Sequence, residues 1–177
     1  MIAVDTNVLV YAHRYESRHN ETAYRQVNTL VAGRAAWGIP WPCIHEFLAV
    51  VTNPRAFPDP SSIGTALQQV EIWRSSPSLV LLGETAEHWS FLAPLLEASK
   101  ARGGLVHDAR IAALCLEHGV REFWTADRDF ARFPGLVTHN PLEDDRVHDA
   151  SPAWAAAVRA RAAGRRRQAA RARGEAK

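Results

Sequence analysis

A chain of 177 residues that is 47 % apolar suits one ordinary domain with a sizeable core, which excludes disorder throughout. No apolar run approaches the ~20 residues that span a bilayer, and no basic segment leads a long apolar stretch at the N-terminus, so neither a membrane span nor a signal peptide is expected. The net charge of +2 hides an asymmetry: Arg159 to Lys177 holds eight basic residues against one acid, a net +7, which leaves −5 on residues 1–158.

Residues 2–5, IAVD, read as a short buried strand, after which Thr6 or Asn7 caps a short helix through His13. Ala23, Val27, Leu30 and Val31 at helical spacing predict a helix over 20–32. Residues 36–39 form a second strand, closed by Pro40. Pro42 suits a first helical turn, and the helix, roughly 44–52, carries Glu46 in that turn. Asn53-Pro54 ends it and opens a proline-rich loop. Ser61 or Ser62 caps a helix through Trp73. The apolar run 79–82, between Pro77 and Gly83, is a strand, and a helix runs from Thr85 to about Ala101. Gly103-Gly104 breaks the pattern before an apolar helix over 108–118, with Asp108 in its first turn. Residues 122–125 and 136–138 are two more strands. Residues 1–142 thus form the main domain, 143–152 read as an acidic linker, and 153–177 form a basic Ala/Arg-rich tail, helical by propensity or disordered.

Short apolar strands alternating with longer helices predict an α/β fold with a mainly parallel sheet. Sites in such sheets lie beyond the carboxyl ends of the strands. Asp5 ends the first strand, Asp127 follows the strand over 122–125, and Glu46 and Asp108 stand at helix starts. Each acid alone has a bland reading, as a helix cap or a solvated loop acid, and Asp129 beside Asp127 has the same. Gathered at one edge, they would repel and raise one another's pKa. A hard divalent cation removes that conflict, and four carboxylates without His or Cys partners suit Mg²⁺ or Mn²⁺ rather than zinc.

The segments DTNVLVYA, CIHEFLAVV, HDARIAALCLEHGV and WTADRDFARFPGLVTHNPL, in that order over roughly residues 1–142, resemble the PIN-domain family, and more narrowly the VapC-type toxins of bacterial toxin–antitoxin pairs. The resemblance implies a three-layer α/β/α sandwich and a Mg²⁺-dependent endoribonuclease. Asp5, Glu46, Asp108 and Asp127 match the family's acids, with Asp129 beside the last. Asp5, Asp108 and Asp127 are the implied cation ligands, and Glu46 holds a second ion or orients the water. Thr6 and Asn7 match residues that tie down the first acid's loop, and Thr125 matches a hydroxyl near the site. In-line hydrolysis would leave a 5′-phosphate and a 3′-hydroxyl. The implied partners are substrate RNA, a small cognate antitoxin and a second copy of the chain. A non-toxic RNA-processing nuclease and a catalytically silent RNA-binding module stay open as alternatives. A phosphatase using Asp5 as nucleophile ranks low, because Asn7 stands where it wants a second acid.

Cys43 and Cys115 lack metal or redox spacing and are read as buried thiols of a reducing, cytoplasmic protein. His45 and His107 precede two of the acids without a zinc motif, so structural or solvent-facing roles are expected. Trp37, Trp73, Trp89 and Trp124 are placed in the core. For Trp41, packing is the first reading and stacking of an unpaired base the second. Arg14 and Arg18 are read as surface residues, with phosphate contact as the alternative. The tail is an electrostatic arm for RNA, a docking helix or a solubilising terminus.

Overall fold

The computed structural model describes residues 1–143; the expected tail and all but the first residue of the expected linker lie outside the described residues. Five parallel strands, β1 (Ile2–Val4), β2 (Trp37–Pro40), β3 (Leu79–Leu82), β4 (Glu122–Trp124) and β5 (Thr138–His139), form one sheet in the order β3-β2-β1-β4-β5. Six helices flank the sheet in an α/β/α sandwich: α1 (Thr6–His13), α2 (Asn20–Ala32), α3 (Trp41–Val51), α4 (Ile63–Arg74), α5 (His88–Ser99) and α6 (Leu105–Glu117). One group packs α1 against α2 and α3, and α3 against α4, while α5 packs on α6.

The strands are short; β1, β2 and β3 are wholly apolar, as sheets covered on both faces require, while β4 opens on Glu122 and the edge strand β5 is polar. Ile2 pairs with Trp37 on one side and Glu122 on the other, so β1 is central and its carboxyl end opens in the middle of the sheet edge. Val4, Ile39 and Phe123 are fully buried, joined by Leu9 and Val8 from α1, Phe47 and Val51 from α3, and Ala112 and Leu114 from α6. Burying each large apolar side chain contributes about 1.5–3 kcal/mol.

Several boundaries differ from expectation for local reasons. The cap of α1 is Asp5, whose extended backbone and side-chain bond to the Thr6 amide displace Thr6 and Asn7 from that role. α3 begins at Trp41, because Pro42 is tolerated in a first turn. Glu46 therefore stands in the second turn, not the first. α5 begins at His88 rather than Thr85, since the Thr85 amide donates across to Glu117. α6 begins three residues early, after a turn in which Gly103 takes φ +57°. A 3-10 turn over Arg128–Arg132 follows β4. The last strand lies at 138–139 rather than 136–138, with the buried Leu136 ahead of it in the connecting loop.

Two burial assignments are corrected. Trp89 is 69 % exposed on the outer side of α5 instead of packed in the core. Arg14 is buried, not solvated: it pairs with Glu16, donates to the Asp59 carbonyl and the Ser61 hydroxyl, and stacks over Phe57 at 4.1 Å. It pins the proline-rich loop to the end of α1. Trp37, Trp73 and Trp124 are buried, and Cys43 and Cys115 are buried free thiols.

Candidate active site

At the carboxyl edge of the sheet lies an open cleft of about 270 Å³ lined by Asp5, Thr6, Asn7, Glu46, Asp108 and Asp127, with Val10, Tyr11, Val50, Ile111 and Phe130 as apolar walls. Four elements deliver the acids. Asp5 comes from the β1–α1 junction, Glu46 from α3, Asp108 from the start of α6, and Asp127 from the cap of the 3-10 turn after β4.

Asp5 is the buried corner, and neutral donors surround it. Its Oδ1 accepts from the Thr6 amide at 2.7 Å, and its Oδ2 accepts from Asn7 Nδ2 and Thr125 Oγ1, both at 2.6 Å. The Cys43 thiol stands 3.7 Å from Oδ1. Burial pushes the Asp5 carboxyl up to about 7, against the lowering effect of the Thr125 and Thr6 hydrogen bonds and with a further push from Glu46. Burial, and then the Asp5 charge, hold the Cys43 thiol well above its usual range, so it stays a protonated donor.

The same small residues reach the other acids. Thr6 Oγ1 donates to Glu46 Oε2 at 2.6 Å. Asn7 Nδ2 also donates to Thr125 Oγ1, and Asn7 Oδ1 accepts from the Ala126 amide. The Asp127 amide donates to Thr125 Oγ1, and Asp127 Oδ1 accepts from the Asp129 amide. Thr125 thus links the first acid to the last through one hydroxyl. Asp108 is raised first by burial and then by the charges of Asp127, Glu46 and Asp129, with His107 pulling the other way. Asp129 itself is exposed, does not line the cleft, and faces Arg132 at 3.5 Å. His45 and His107 are exposed.

The donor chemistry fits a hard divalent cation. The acidic groups that line the cleft are four carboxylates with no His or Cys among the lining residues, and Mg²⁺ typically takes one or two carboxylates, keeps several waters and completes its shell with substrate phosphate. Among the described residues no three His, Cys, Asp or Glu side chains stand together closely enough to hold a metal ion, so a cation in the cleft would meet one or two carboxylates directly and the others through water. Two roles escaped the sequence reading: the Cys43 thiol beside Asp5, and the Thr6 hydroxyl on Glu46. The i, i+3 spacing of Cys43 and Glu46 was the available signal.

A parallel sheet in this order, with acids converging from β1, α3, α6 and β4, is the arrangement of a PIN domain. The PIN domain model matches residues 2–136, and the chain belongs to that family. Within it, the curated relatives are VapC ribonucleases. Ribonuclease VapC43 of Mycobacterium tuberculosis is 35 % identical over 148 residues, covering 84 % of this chain and 99 % of its own. Among solved structures, VapBC2 of Rickettsia felis bound to a promoter DNA fragment superposes with a TM-score of 0.57 at 20 % identity, covering 79 % of this chain and 98 % of that one. Mycobacterium tuberculosis VapC20, described as a sarcin–ricin loop cleaving toxin, gives 0.56 at 19 % identity, covering 77 % and 97 %. These two likenesses show the fold.

Proposed function

We propose that this protein is a Mg²⁺-dependent endoribonuclease and the toxin of a toxin–antitoxin pair. The observation that carries the reading is the cleft itself: Asp5, Glu46, Asp108 and Asp127 share it, and among the described residues no Lys, Arg or His forms an ion pair with any of them. The ribonuclease names of its relatives support the activity, and the VapBC structures support a small antitoxin partner.

Asp5, Asp108 and Asp127 would hold the cation, with Mn²⁺ able to replace Mg²⁺. A bound divalent cation polarises the scissile phosphodiester and lowers the pKa of its water. Thr125, Asn7 and the Thr6 amide fix the orientation of the Asp5 carboxylate, which would set how it meets the ion. Glu46, held by Thr6, orients the attacking water and accepts its proton. The new bond would join the water oxygen to phosphorus as the bond to the 3′ oxygen breaks; the leaving 3′ oxygen would take a proton from solvent water, Glu46 would return its proton to solvent, and the products would be a 5′-phosphate and a 3′-hydroxyl.

The test is cleavage of a mixed RNA pool by the purified chain with Mg²⁺, with EDTA, and as Asp5→Asn with Mg²⁺. Cutting only in the first condition, with the variant still folded, supports the proposal. Metal-independent cutting, or undiminished cutting by Asp5→Asn, contradicts it.

A further inference from the structure

We propose that the Trp41 indole, with the His45 imidazole beside it, is a stacking platform for an unpaired nucleobase of the RNA strand that enters the cleft. This rests on the nuclease reading above and adds how a single strand is held and positioned.

Trp41 is the first residue of α3, directly after Pro40, the last residue of β2. β2 is the strand beside β1, and neighbouring strands lie about 4.8 Å apart. The platform therefore stands on the same sheet edge as Asp5. Trp41 does not line the cleft; Glu46, which does, is five residues further along the same helix, a rise of about 7.5 Å and about 140° around its axis, so the platform stands beside the cleft and not in it.

The ring is both exposed and fixed. Trp41 keeps 40 % of its surface in solvent, and it takes no part in the buried core that claims Trp37, Trp73 and Trp124. His45, one turn on, lies 5.8 Å away between centroids and is tilted by 33°. On another side the indole meets the chain just after β3: a Cβ on Gly83 would stand 3.6 Å from Trp41 Cδ1. Pro40 and Pro42 restrict the backbone on both flanks. An exposed indole held this way loses little freedom when a flat partner covers it.

Charge says what that partner is. The cleft is lined by four carboxylates, and residues 1–158 carry −5, so phosphate is repelled wherever no cation screens it. Residues 159–177, at +7, supply long-range attraction for the strand; beside the acids, base–aromatic stacking adds a local attraction that does not depend on charge. Bases in single-stranded loops and ends are free to offer that face; paired bases are not.

The full chain carrying Asp5→Asn, which removes cutting, is titrated with a short single-stranded RNA containing 2-aminopurine. Quenching on binding is expected. Trp41→Ala in the same background should abolish the quench and weaken binding about tenfold. Trp41→Phe should keep part of both, and Trp89→Ala should change neither. In the active protein, Trp41→Ala should raise KM and move the cut positions, with Tm and the Mg²⁺-induced rise in Tm unchanged. If the active protein cuts RNA and Trp41→Ala cuts the same positions with the same KM, the platform is overturned and the nuclease reading survives. If the active protein cuts no RNA, both fall. A dimer that Trp41→Ala dissociates in sedimentation, with the quench intact, would assign Trp41 to a second copy of the chain and overturn the platform.

Discussion

Acids collect at two places in this molecule, and they are treated oppositely. Beside α6, two carboxylates are tied to ring or guanidinium partners: Glu117 Oε2 lies 2.7 Å from His88 Nδ1, and Glu84 Oε1 lies 2.5 Å from Arg110 Nε. Burial pushes the Glu117 carboxyl up, but hydrogen bonds from Thr85 and His88 outweigh it and hold it below its usual range. In the cleft, Asp5 receives only neutral donors, from Thr6, Asn7, Thr125 and Cys43, and its carboxyl sits high. Neutral donors orient a carboxylate without cancelling its charge. The acids beside α6 are tied to partners from neighbouring segments, whereas the cleft acids form no ion pair among the described residues, as the proposed cation site requires.

The sharpest way to break this contrast is to remove one acid from each place. Asp5→Asn or Asp108→Asn should lower Mg²⁺-dependent RNA cleavage by on the order of 10³, the scale of losing a metal's charge stabilisation. Glu84→Gln should leave cleavage unchanged. Equal losses in the two regions would erase the distinction.

The second test uses pH. Unfolded Asp5 ionises near its ordinary value of about 4, and the folded group near 7. Its contribution to stability is fully present below about pH 4 and is lost as pH rises through 7, by up to about 4 kcal/mol. Thermal melts in EDTA should therefore show wild-type Tm falling over that window, and Asp5→Asn should flatten the fall. Added Mg²⁺ should raise Tm more at pH 8 than at pH 5, because it binds the ionised carboxylate.

Smaller effects sharpen the picture. Thr125→Ala removes a hydroxyl that lowers the Asp5 pKa, so the acid limb of the pH–rate profile should move to higher pH and cleavage should fall on the order of 10-fold, with Thr125→Ser restoring both. Glu117→Gln should cost about 1–2 kcal/mol in a denaturant melt at neutral pH, with cleavage unaffected. Because the folded Glu117 carboxyl is depressed, that stability is present above the unfolded pKa and disappears as pH falls through the folded one.

The parallel α/β architecture was legible because strand and helix periods alternate cleanly, and α2 and β3 fall where spacing placed them. The order of the acids along the chain was legible as well, since Asp5, Asp108 and Asp127 each sit beside a strand end or in a first helical turn. What one sequence hid is long-range. Arg14 is buried by Glu16 and by Ser61, Asp59 and Phe57 from a loop more than 40 residues away, which no local pattern announces. α5 is apolar almost all round, so nothing in its sequence says that Trp89 faces outward. Glu46 moved to the second turn because Trp-Pro-Cys reads as a loop, yet proline suits the helix start it occupies. The Thr6 hydroxyl crosses 40 residues to reach Glu46.

The most direct measurement is calorimetric titration of Mg²⁺ into the full chain at pH 8, with Asp5→Asn and Glu84→Gln alongside. Binding by wild type and Glu84→Gln, lost in a folded Asp5→Asn, is the expected result. Binding that persists undiminished in Asp5→Asn, or that depends instead on Glu84, would contradict a cation site in the cleft.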